Sequence, residues 1–221
     1  MAGLESKVAL ITGAGGMKGI GRATALKLAA QGADIAVTDV QRPPEDLPPG
    51  EVRQQWRGIE SVAEEVAALG RRCLRVWCDL RDSEQIQAMV RQVAEHFGHI
   101  DILVNNARAI IGRDKVPITE LREDVWQHFL AINTTAVFLC TKFVGQVLVH
   151  QGQGGRIISI ASDAAKRGSA MGAAWALLAG FVVYGVLKAS MGLRLSQEEE
   201  FEGADLSVHR IGATPEREAT W

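Results

Sequence analysis

The stretch VALITGAGGMKGIG, residues 8–21, places an apolar run, a glycine-rich turn and the start of an amphipathic pattern directly one after another. Apolar residues then recur three and four positions apart, which puts them on one face of a predicted helix: Ile20, Ala23, Leu26 and Ala30. Glycines let the backbone approach a ligand closely, and a helix N terminus offers free N–H groups and the positive end of its dipole. The order strand, glycine turn, helix therefore predicts a phosphate-binding site.

An acidic residue follows a second apolar run. The residues from Ile35 to Val37 predict another buried strand, and Asp39 comes shortly after it. In dinucleotide-binding folds a carboxylate at this place accepts hydrogen bonds from the adenosine ribose. The pattern therefore favours a dinucleotide site, and the alternative is a glycine turn that serves only tight packing. Prolines between Arg42 and Gly50 predict an irregular surface excursion near the adenosine half of such a ligand.

Length and composition are those of one soluble domain. The chain has 221 residues, of which 47% are hydrophobic, and a formal net charge of -2, so nothing attracts it electrostatically to nucleic acid or to an anionic membrane. No metal-ligand spacing occurs, and Cys73, Cys78 and Cys140 lie among apolar residues, as expected of buried thiols in a reducing compartment. The N terminus lacks a basic-then-apolar signal pattern, which predicts a cytoplasmic protein.

Predicted strands and helices alternate along the chain. Further strands are expected at residues 73–77, 102–104 and 156–160. A helix that begins at Asp82 and ends at Gly98 has one apolar face, formed by Ile86, Met89, Val90, Val93 and Phe97. A longer helix that begins at Thr119 has another, formed by Val125, Phe129, Ile132, Ala136 and Leu139. Short apolar strands between helices predict an α/β fold with a doubly wound parallel sheet, as a single domain over residues 1–221.

In this order the motifs resemble the short-chain dehydrogenase/reductase family, classical type, over about residues 5–162. The matching residues are the turn from Thr12 to Gly21, Asp79-Leu80, Asn105-Asn106-Ala107, Asn133, Ser162, and the pair Tyr184 and Lys188. The resemblance implies a Rossmann-type fold, a nicotinamide cofactor, and reversible hydride transfer between a small-molecule alcohol and a ketone or other carbonyl compound.

The resemblance also implies roles for single residues. The implied cofactor-binding residues are Gly13, Gly15, Gly19, Ile20, Gly21, Asp39, Asp79, Leu80 and Asn106, and the implied catalytic set is Asn133, Ser162, Tyr184 and Lys188. Asp39 favours NAD over NADP, because a carboxylate repels a 2′-phosphate. Lys18 or Arg42 can pair with that phosphate, however, and keeps NADP open as an alternative.

Proton transfer from an alcohol needs residue types of this kind. A free tyrosine has a pKa of about 10, and an ammonium group one helical turn away stabilises the phenolate and lowers that pKa. By the resemblance, Ser162 hydrogen-bonds the reacting oxygen and Asn133 ties Lys188 to a proton-relay water. The alternatives are an amphipathic surface helix for Tyr184 and Lys188, and helix capping or bending for Ser162 and Asn133.

The chain departs from the family pattern near the first turn and after the fourth strand. Two extra residues lie between Gly13 and Gly19, so the turn is expected to bulge. Arg108 stands where the family has a glycine.

The spacing after Ser162 leaves two registers open. Tyr184 lies 22 residues after Ser162, whereas the family pattern places its tyrosine near Trp175 and its lysine near Ala179. Either a stretch around residues 171–182 is an insertion and Tyr184 is catalytic, or Trp175 occupies the site in a silent cofactor-binding protein. The strand-like residues 206–208 keep nearly the family's distance from Lys188, which favours the first register, although the C-terminal quarter is otherwise diverged or truncated.

Residues 168–187 form a run of 20 residues without a charge. That length can span a bilayer, but the alternating pattern favours a helix buried between the sheet and a partner subunit. Together with apolar residues around Val137 and Phe143 it exceeds what one sheet face covers. We therefore expect a homodimer or homotetramer.

Overall fold

The first apolar run forms the central strand of a parallel sheet in a computed structural model that describes residues 3–109 and 116–161. The described strands are β1 (Val8–Thr12), β2 (Asp34–Asp39), β3 (Cys73–Trp77), β4 (Ile102–Asn105) and β5 (Arg156–Ser159). They lie in the order β3-β2-β1-β4-β5, and every pairing between neighbours is parallel. The chain reverses its direction of winding between β1 and β4, so the predicted doubly wound, Rossmann-type sheet is confirmed.

Helices connect the strands and cover both faces of the sheet. Their bounds are α1 (Ile20–Ala30), α2 (Pro49–Arg53), α3 (Ile59–Ala68), α4 (Ser83–Phe97), α5 (Glu123–Leu130) and α6 (Ala136–Gln151). Val8 and Leu10 of β1 pack with α4 and α6, whereas the alternate residues Ala9 and Ile11 pack with α1 and α3. Successive side chains of a strand point to opposite faces, which explains why β1 is buried throughout.

α4 forms as its sequence predicts. The Asp82 side chain accepts hydrogen bonds from the backbone N–H groups of Glu84 and Gln85 at the helix start. Gly98 ends the helix with φ +86°, a left-handed conformation that favours glycine. The predicted apolar face is buried: Ile86, Met89, Val90, Val93 and Phe97.

Two predicted segments differ in detail. The helix expected from Thr119 begins at Glu123, after a 3₁₀ turn at Ile118–Glu120, and a π-helical turn, Ala131–Thr135, separates α5 from α6. The segment after Asp39 lies at the surface as expected, but it is only partly irregular. It forms a 3₁₀ turn, Pro44–Asp46, and then α2, in which Pro49 takes the first position, where a missing N–H costs nothing.

The three cysteines are free thiols in apolar surroundings, as predicted. Cys78 and Cys140 are buried and Cys73 is half-buried. Burial raises the pKa of each thiol to about 12, so all three stay protonated and unreactive at neutral pH.

All described residues belong to one compact unit. Among them, the helical stretch Glu123–Gln151 is long and apolar enough to cross a membrane by length and composition. The core helix of a soluble protein passes the same test, and α6 packs Ala136, Cys140 and Val144 against the sheet. The charge-free run at residues 168–187 and the strand expected at residues 206–208 lie outside the described residues.

Candidate cofactor and active site

The carboxyl ends of β1 and β4 meet at the glycine turn. Gly13 has φ +65°, and a Cβ there would lie 2.5 Å from the Ala107 Cα. A Cβ at Gly21 would lie 2.6 Å from the Asn106 Nδ2 atom. Both positions therefore require glycine, because the backbone after β4 packs directly against the turn and the start of α1.

The Thr12 hydroxyl and the Asn106 amide fasten the two strand ends together. Thr12 Oγ1 accepts hydrogen bonds from the backbone N–H groups of Asn106, at 3.0 Å, and Ala107, at 3.1 Å. Asn106 Nδ2 donates to the carbonyl oxygens of Thr12, at 2.8 Å, and Gly13, at 2.9 Å. Asn106 thus lies beside the glycine turn, with its amide group engaged in holding the turn.

The expected bulge in the turn is a tight reverse turn. The Gly19 N–H donates to the Gly16 carbonyl oxygen at 2.9 Å, so Met17 and Lys18 stand at the tip of the longer turn. α1 begins at Ile20, and within the described residues no side chain caps its N terminus. The first N–H groups of a helix have no partner in the helix itself, so this end suits an anion.

Asp39 lies at the end of β2, beside the same turn. Its Oδ2 atom accepts a hydrogen bond of 2.7 Å from the Gly15 N–H, and its Oδ1 atom accepts one of 2.8 Å from the Val40 N–H. A Cβ at Gly15 would lie 2.8 Å from Oδ2, so a side chain there would displace the Asp39 carboxylate. Burial raises the pKa of Asp39 above its ordinary value, although both hydrogen bonds act against the rise.

Glu51, a residue that sequence reasoning missed, lies buried behind the tip of the turn. Its Oε1 atom accepts a hydrogen bond of 2.9 Å from the Met17 N–H, and its Oε2 atom lies 3.2 Å from Arg42 Nη2. Arg42 is therefore paired, whereas Lys18 is exposed and has no ion pair in the described part of the chain. No sequence motif marks Glu51, because its contact depends on how residues 42–58 fold back.

Two further contacts that sequence reasoning missed hold the same turn. Trp56 Nε1 donates to the Gly15 carbonyl oxygen at 2.7 Å. Arg22 Nη1 donates to the Met17 carbonyl oxygen at 2.8 Å, and its guanidinium lies 5.1 Å from the centre of the Trp56 ring. Residues 42–58 and α1 thus brace the enlarged turn from both sides.

Asp79 and Leu80 follow β3, where the resemblance implies an adenine contact. A hydrogen bond from Arg81 lowers the pKa of Asp79, and the charge of Arg81 adds to this effect. Leu80 is half-buried and packs against the core cluster under α4. Arg81 is a neighbour that the sequence motif did not include.

Asn133 lies in the π-helical turn between α5 and α6. Its Oδ1 atom accepts a hydrogen bond of 3.1 Å from the Ala109 N–H, beyond the end of β4. Its Nδ2 atom is buried and has no hydrogen-bond partner in the described part of the structure. A π turn is a frequent feature of functional sites, and a buried free donor is a group that a ligand or water can satisfy.

The other predicted catalytic residues, Ser162, Tyr184 and Lys188, lie outside the described residues, as do Trp175 and Ala179. The described chain ends at residue 161, just beyond β5. Asn105, at the end of β4, directs its Nδ2 atom to Ser159 Oγ at 3.4 Å and to Thr141 Oγ1 at 3.2 Å. These bonds join the ends of β4 and β5 to α6.

Comparison with known proteins shows the family. The family model described as short chain dehydrogenase matches residues 7–177, and the chain belongs to this family. A relative from Aspergillus oryzae, short chain dehydrogenase/reductase astE, is 40% identical over 164 residues, which are 74% of this chain and 56% of the relative. Galactitol 2-dehydrogenase from Agrobacterium fabrum is 36% identical over 168 residues, 76% of this chain and 57% of the relative.

A solved structure supports the same assignment. Carveol dehydrogenase from Mycobacterium avium in complex with NAD matches with a TM-score of 0.72 and 30% sequence identity, and the match covers 86% of this chain and 66% of that one. The chain thus spans little more than half the length of the curated relatives. Tyr184 and Lys188 lie beyond residue 177, where the family match ends.

Proposed function

We propose that this protein is an NAD-preferring oxidoreductase that transfers a hydride between the cofactor and a small alcohol or ketone. The observation that carries the proposal is the glycine turn between β1 and α1, with the Asp39 carboxylate directly beside it. The family supports oxidoreductase chemistry on alcohols, and a matching structure contains NAD. The galactitol dehydrogenase among the relatives supports a polar alcohol as the substrate class.

The residues of the turn fit a dinucleotide. Gly13, Gly15 and Gly21 leave no room for side chains, and the uncapped start of α1 at Gly19 and Ile20 suits a pyrophosphate. We place Asp39 at the adenosine ribose, Asp79 and Leu80 at the adenine, and Asn106 against a cofactor ribose. NAD is preferred because the Asp39 carboxylate disfavours a 2′-phosphate. When bound, the cofactor supplies or accepts the hydride.

Tyr184 and Lys188 are assigned the acid/base role. The lysine ammonium holds the tyrosine pKa down, so that the phenol oxygen exchanges a proton with the substrate oxygen near neutral pH. Ser162 follows β5 closely and hydrogen-bonds the substrate oxygen. Asn133, whose Nδ2 donor has no partner among the described residues, orders the path by which the proton reaches solvent. We further propose that the protein works in the cytoplasm as a homodimer or homotetramer.

The test compares two conservative variants of the full chain. Tyr184→Phe removes only the ionisable oxygen, so we expect turnover to fall by about 10²–10⁴-fold, the usual value for lost acid/base catalysis, with NADH binding retained. Trp175→Phe changes only packing in this register and should leave turnover within a few-fold. Turnover is followed as NADH absorbance with a panel of sugar alcohols and ketones.

Two results would contradict this assignment. If Trp175→Phe and Tyr184→Phe lower turnover equally, the tyrosine has no special part in the reaction. If the parent chain binds NADH but reduces no carbonyl compound in the panel, it is a cofactor-binding protein without catalytic activity.

A further inference from the structure

Arg42 pairs with the buried Glu51 carboxylate behind the glycine turn, and both charges act on Asp39. Arg42 is 19% exposed in its side chain, and its Nη2 atom lies 3.2 Å from Oε2 of Glu51, which is 6% exposed. The charges of Arg42 and Glu51 both act on Asp39, Arg42 favouring its ionised form and Glu51 opposing it. Arg42, Glu51 and Asp39 therefore form one electrostatic unit, here called the Asp39 cluster.

The Asp39 cluster lies at the end of the second strand, where the residues that distinguish NAD from NADP are found. An acidic side chain at the end of the second strand receives the ribose of NAD, whereas a nearby arginine receives the 2′-phosphate of NADP. The chain has both residue types there, Asp39 and Arg42, three positions apart. How strongly Asp39 favours NAD over NADP then depends in part on whether the arginine charge is free.

Glu51 keeps that charge occupied. Its Oε2 atom pairs with Arg42 while its Oε1 atom accepts the 2.9 Å hydrogen bond from Met17 at the tip of the turn. The Glu51 carboxylate is thus held by two partners. Because the hydrogen bond from Met17 already restricts the side chain, keeping the ion pair with Arg42 costs little further conformational entropy. A 2′-phosphate would have to compete with a buried carboxylate for the same guanidinium.

We propose that Glu51 strengthens the preference for NAD by neutralising Arg42, so that this arginine does not attract the 2′-phosphate of NADP. This inference rests on the proposed function, namely nicotinamide dinucleotide binding at the glycine turn. Glu51 acts through Arg42 and through the turn, and is therefore a positioning residue.

The substitution Glu51→Gln tests the charge alone. It keeps a side-chain oxygen that can accept from the Met17 N–H, but it removes the negative charge that occupies Arg42. Dissociation constants for NADH and NADPH are measured by fluorescence titration of the full chain. We expect the ratio of the two constants to shift toward NADPH by about tenfold, the effect of one freed charge near a phosphate at a partly shielded site.

Two further variants separate this effect from others. Glu64→Gln is the matched control, because Glu64 pairs with Arg57 on an exposed surface and the net charge changes equally. Its ratio of NADH and NADPH dissociation constants should stay within about twofold of the parent's, since exposed charges are well screened. The double variant Arg42→Met with Glu51→Gln removes both partners. Its ratio should return to within about threefold of the parent's, because a neutralised arginine contributes little to phosphate binding.

The outcomes are distinct. If Glu51→Gln leaves the ratio unchanged while the parent binds NADH, this inference is wrong and the proposed function stands. If the double variant loses NADPH binding tenfold or more relative to the parent, Arg42 already contacts the phosphate and the inference is again wrong, even where Glu51→Gln alone fails to fold. If the parent binds neither nucleotide, both this inference and the proposed function fail.

Discussion

At the scale of single residues, the turn depends on a few buried polar groups. Thr12 is 1% exposed, and its hydroxyl is the acceptor for two backbone N–H groups that have left the β4 ladder. A buried N–H without a partner costs more than the bond itself gains in water. Thr12 therefore contributes more to holding the ends of β1 and β4 together than packing of its small side chain would contribute.

Replacing Thr12 by Val should destabilise the protein. The substitution keeps the shape but strands the N–H groups of Asn106 and Ala107, so we expect the free energy of unfolding to fall by about 2–4 kcal/mol. Thr12→Ser keeps the hydroxyl and should cost only about 1 kcal/mol, for the lost methyl group. Urea unfolding followed by circular dichroism measures both. Equal losses for the two variants would show that packing, not the hydroxyl, is what matters.

The glycines and Asp39 were predictable because their chemistry is local in sequence. Strand, turn and helix follow one another without interruption, and Asp39 closes the next strand. Glu51 and Trp56 were not predictable, since they reach the turn from a segment whose prolines indicate only that regular structure is interrupted. Their role depends on a fold of that segment that no periodicity reveals.

At the scale of elements, the bounds and buried face of α4 were predicted well, because its N-cap residue, apolar face and terminal glycine all indicate the same helix. The bounds of the helix after β4 were predicted less well. Its apolar residues continue through the π turn, Ala131–Thr135, at unchanged density, so a helical pattern cannot reveal where the hydrogen bonding changes. The start at Glu123 rather than Thr119 reflects the 3₁₀ turn before it, a common end structure of helices.

The ion pairs of Asp34, between the starts of β2 and β3, predict how the stability of the protein depends on pH. Asp34 begins β2, is 5% exposed, and pairs with Arg71 and Arg72, the latter by a 2.6 Å hydrogen bond from Nε. Burial by itself would raise the pKa of Asp34, but the hydrogen bonds and charges of these arginines outweigh burial and lower it. The folded state therefore binds a proton less readily than the unfolded state does, and the ion pair stabilises the protein above the unfolded pKa of about 4.

We expect Asp34→Asn to lower the free energy of unfolding at pH 7 by about 1–3 kcal/mol, the usual value for hydrogen bonds to a charged group. The difference from the parent should shrink as the pH falls below about 4, because the parent then loses the same charge. Urea titrations at several pH values measure it. Asp124→Asn, at an exposed pair with Arg122, should change stability far less than Asp34→Asn at every pH, because water and salt screen exposed pairs. A difference between Asp34→Asn and the parent that persists at low pH would contradict the electrostatic explanation.

At the scale of the whole molecule, the edge strand β5 differs from the inner strands of the described sheet. β1 and β2 are almost wholly buried, whereas β5 is exposed, with Ile157 at 40% and Ile158 at 46%. α6 also presents apolar side chains outward, among them Phe138 at 61% and Val149 at 83% exposed. Apolar surface of this kind is characteristic of contacts between subunits.

We expect light scattering at micromolar concentration to give two or four times the chain mass of 23.8 kDa. Phe138→Glu should weaken this association, because a charge in the centre of an apolar contact loses its hydration without gaining a partner. Leu69→Glu, at an exposed site after α3, is the control and should assemble like the parent. A parent that runs as a stable monomer, or equal behaviour of both variants, would contradict the expectation.

The link between Glu51 and Met17 has an evolutionary consequence. Met17 and Lys18 form the tip of the turn, which is two residues longer than the family pattern, and the buried Glu51 carboxylate has the Met17 N–H and the Arg42 guanidinium as partners. A descendant protein that deleted these two residues would bury the Glu51 carboxylate without its hydrogen bond from Met17. The resulting loss of folding stability would be selected against. Turn length and the acid at position 51 should therefore be inherited together, and a lineage with the shorter turn should have a neutral or absent residue in place of Glu51.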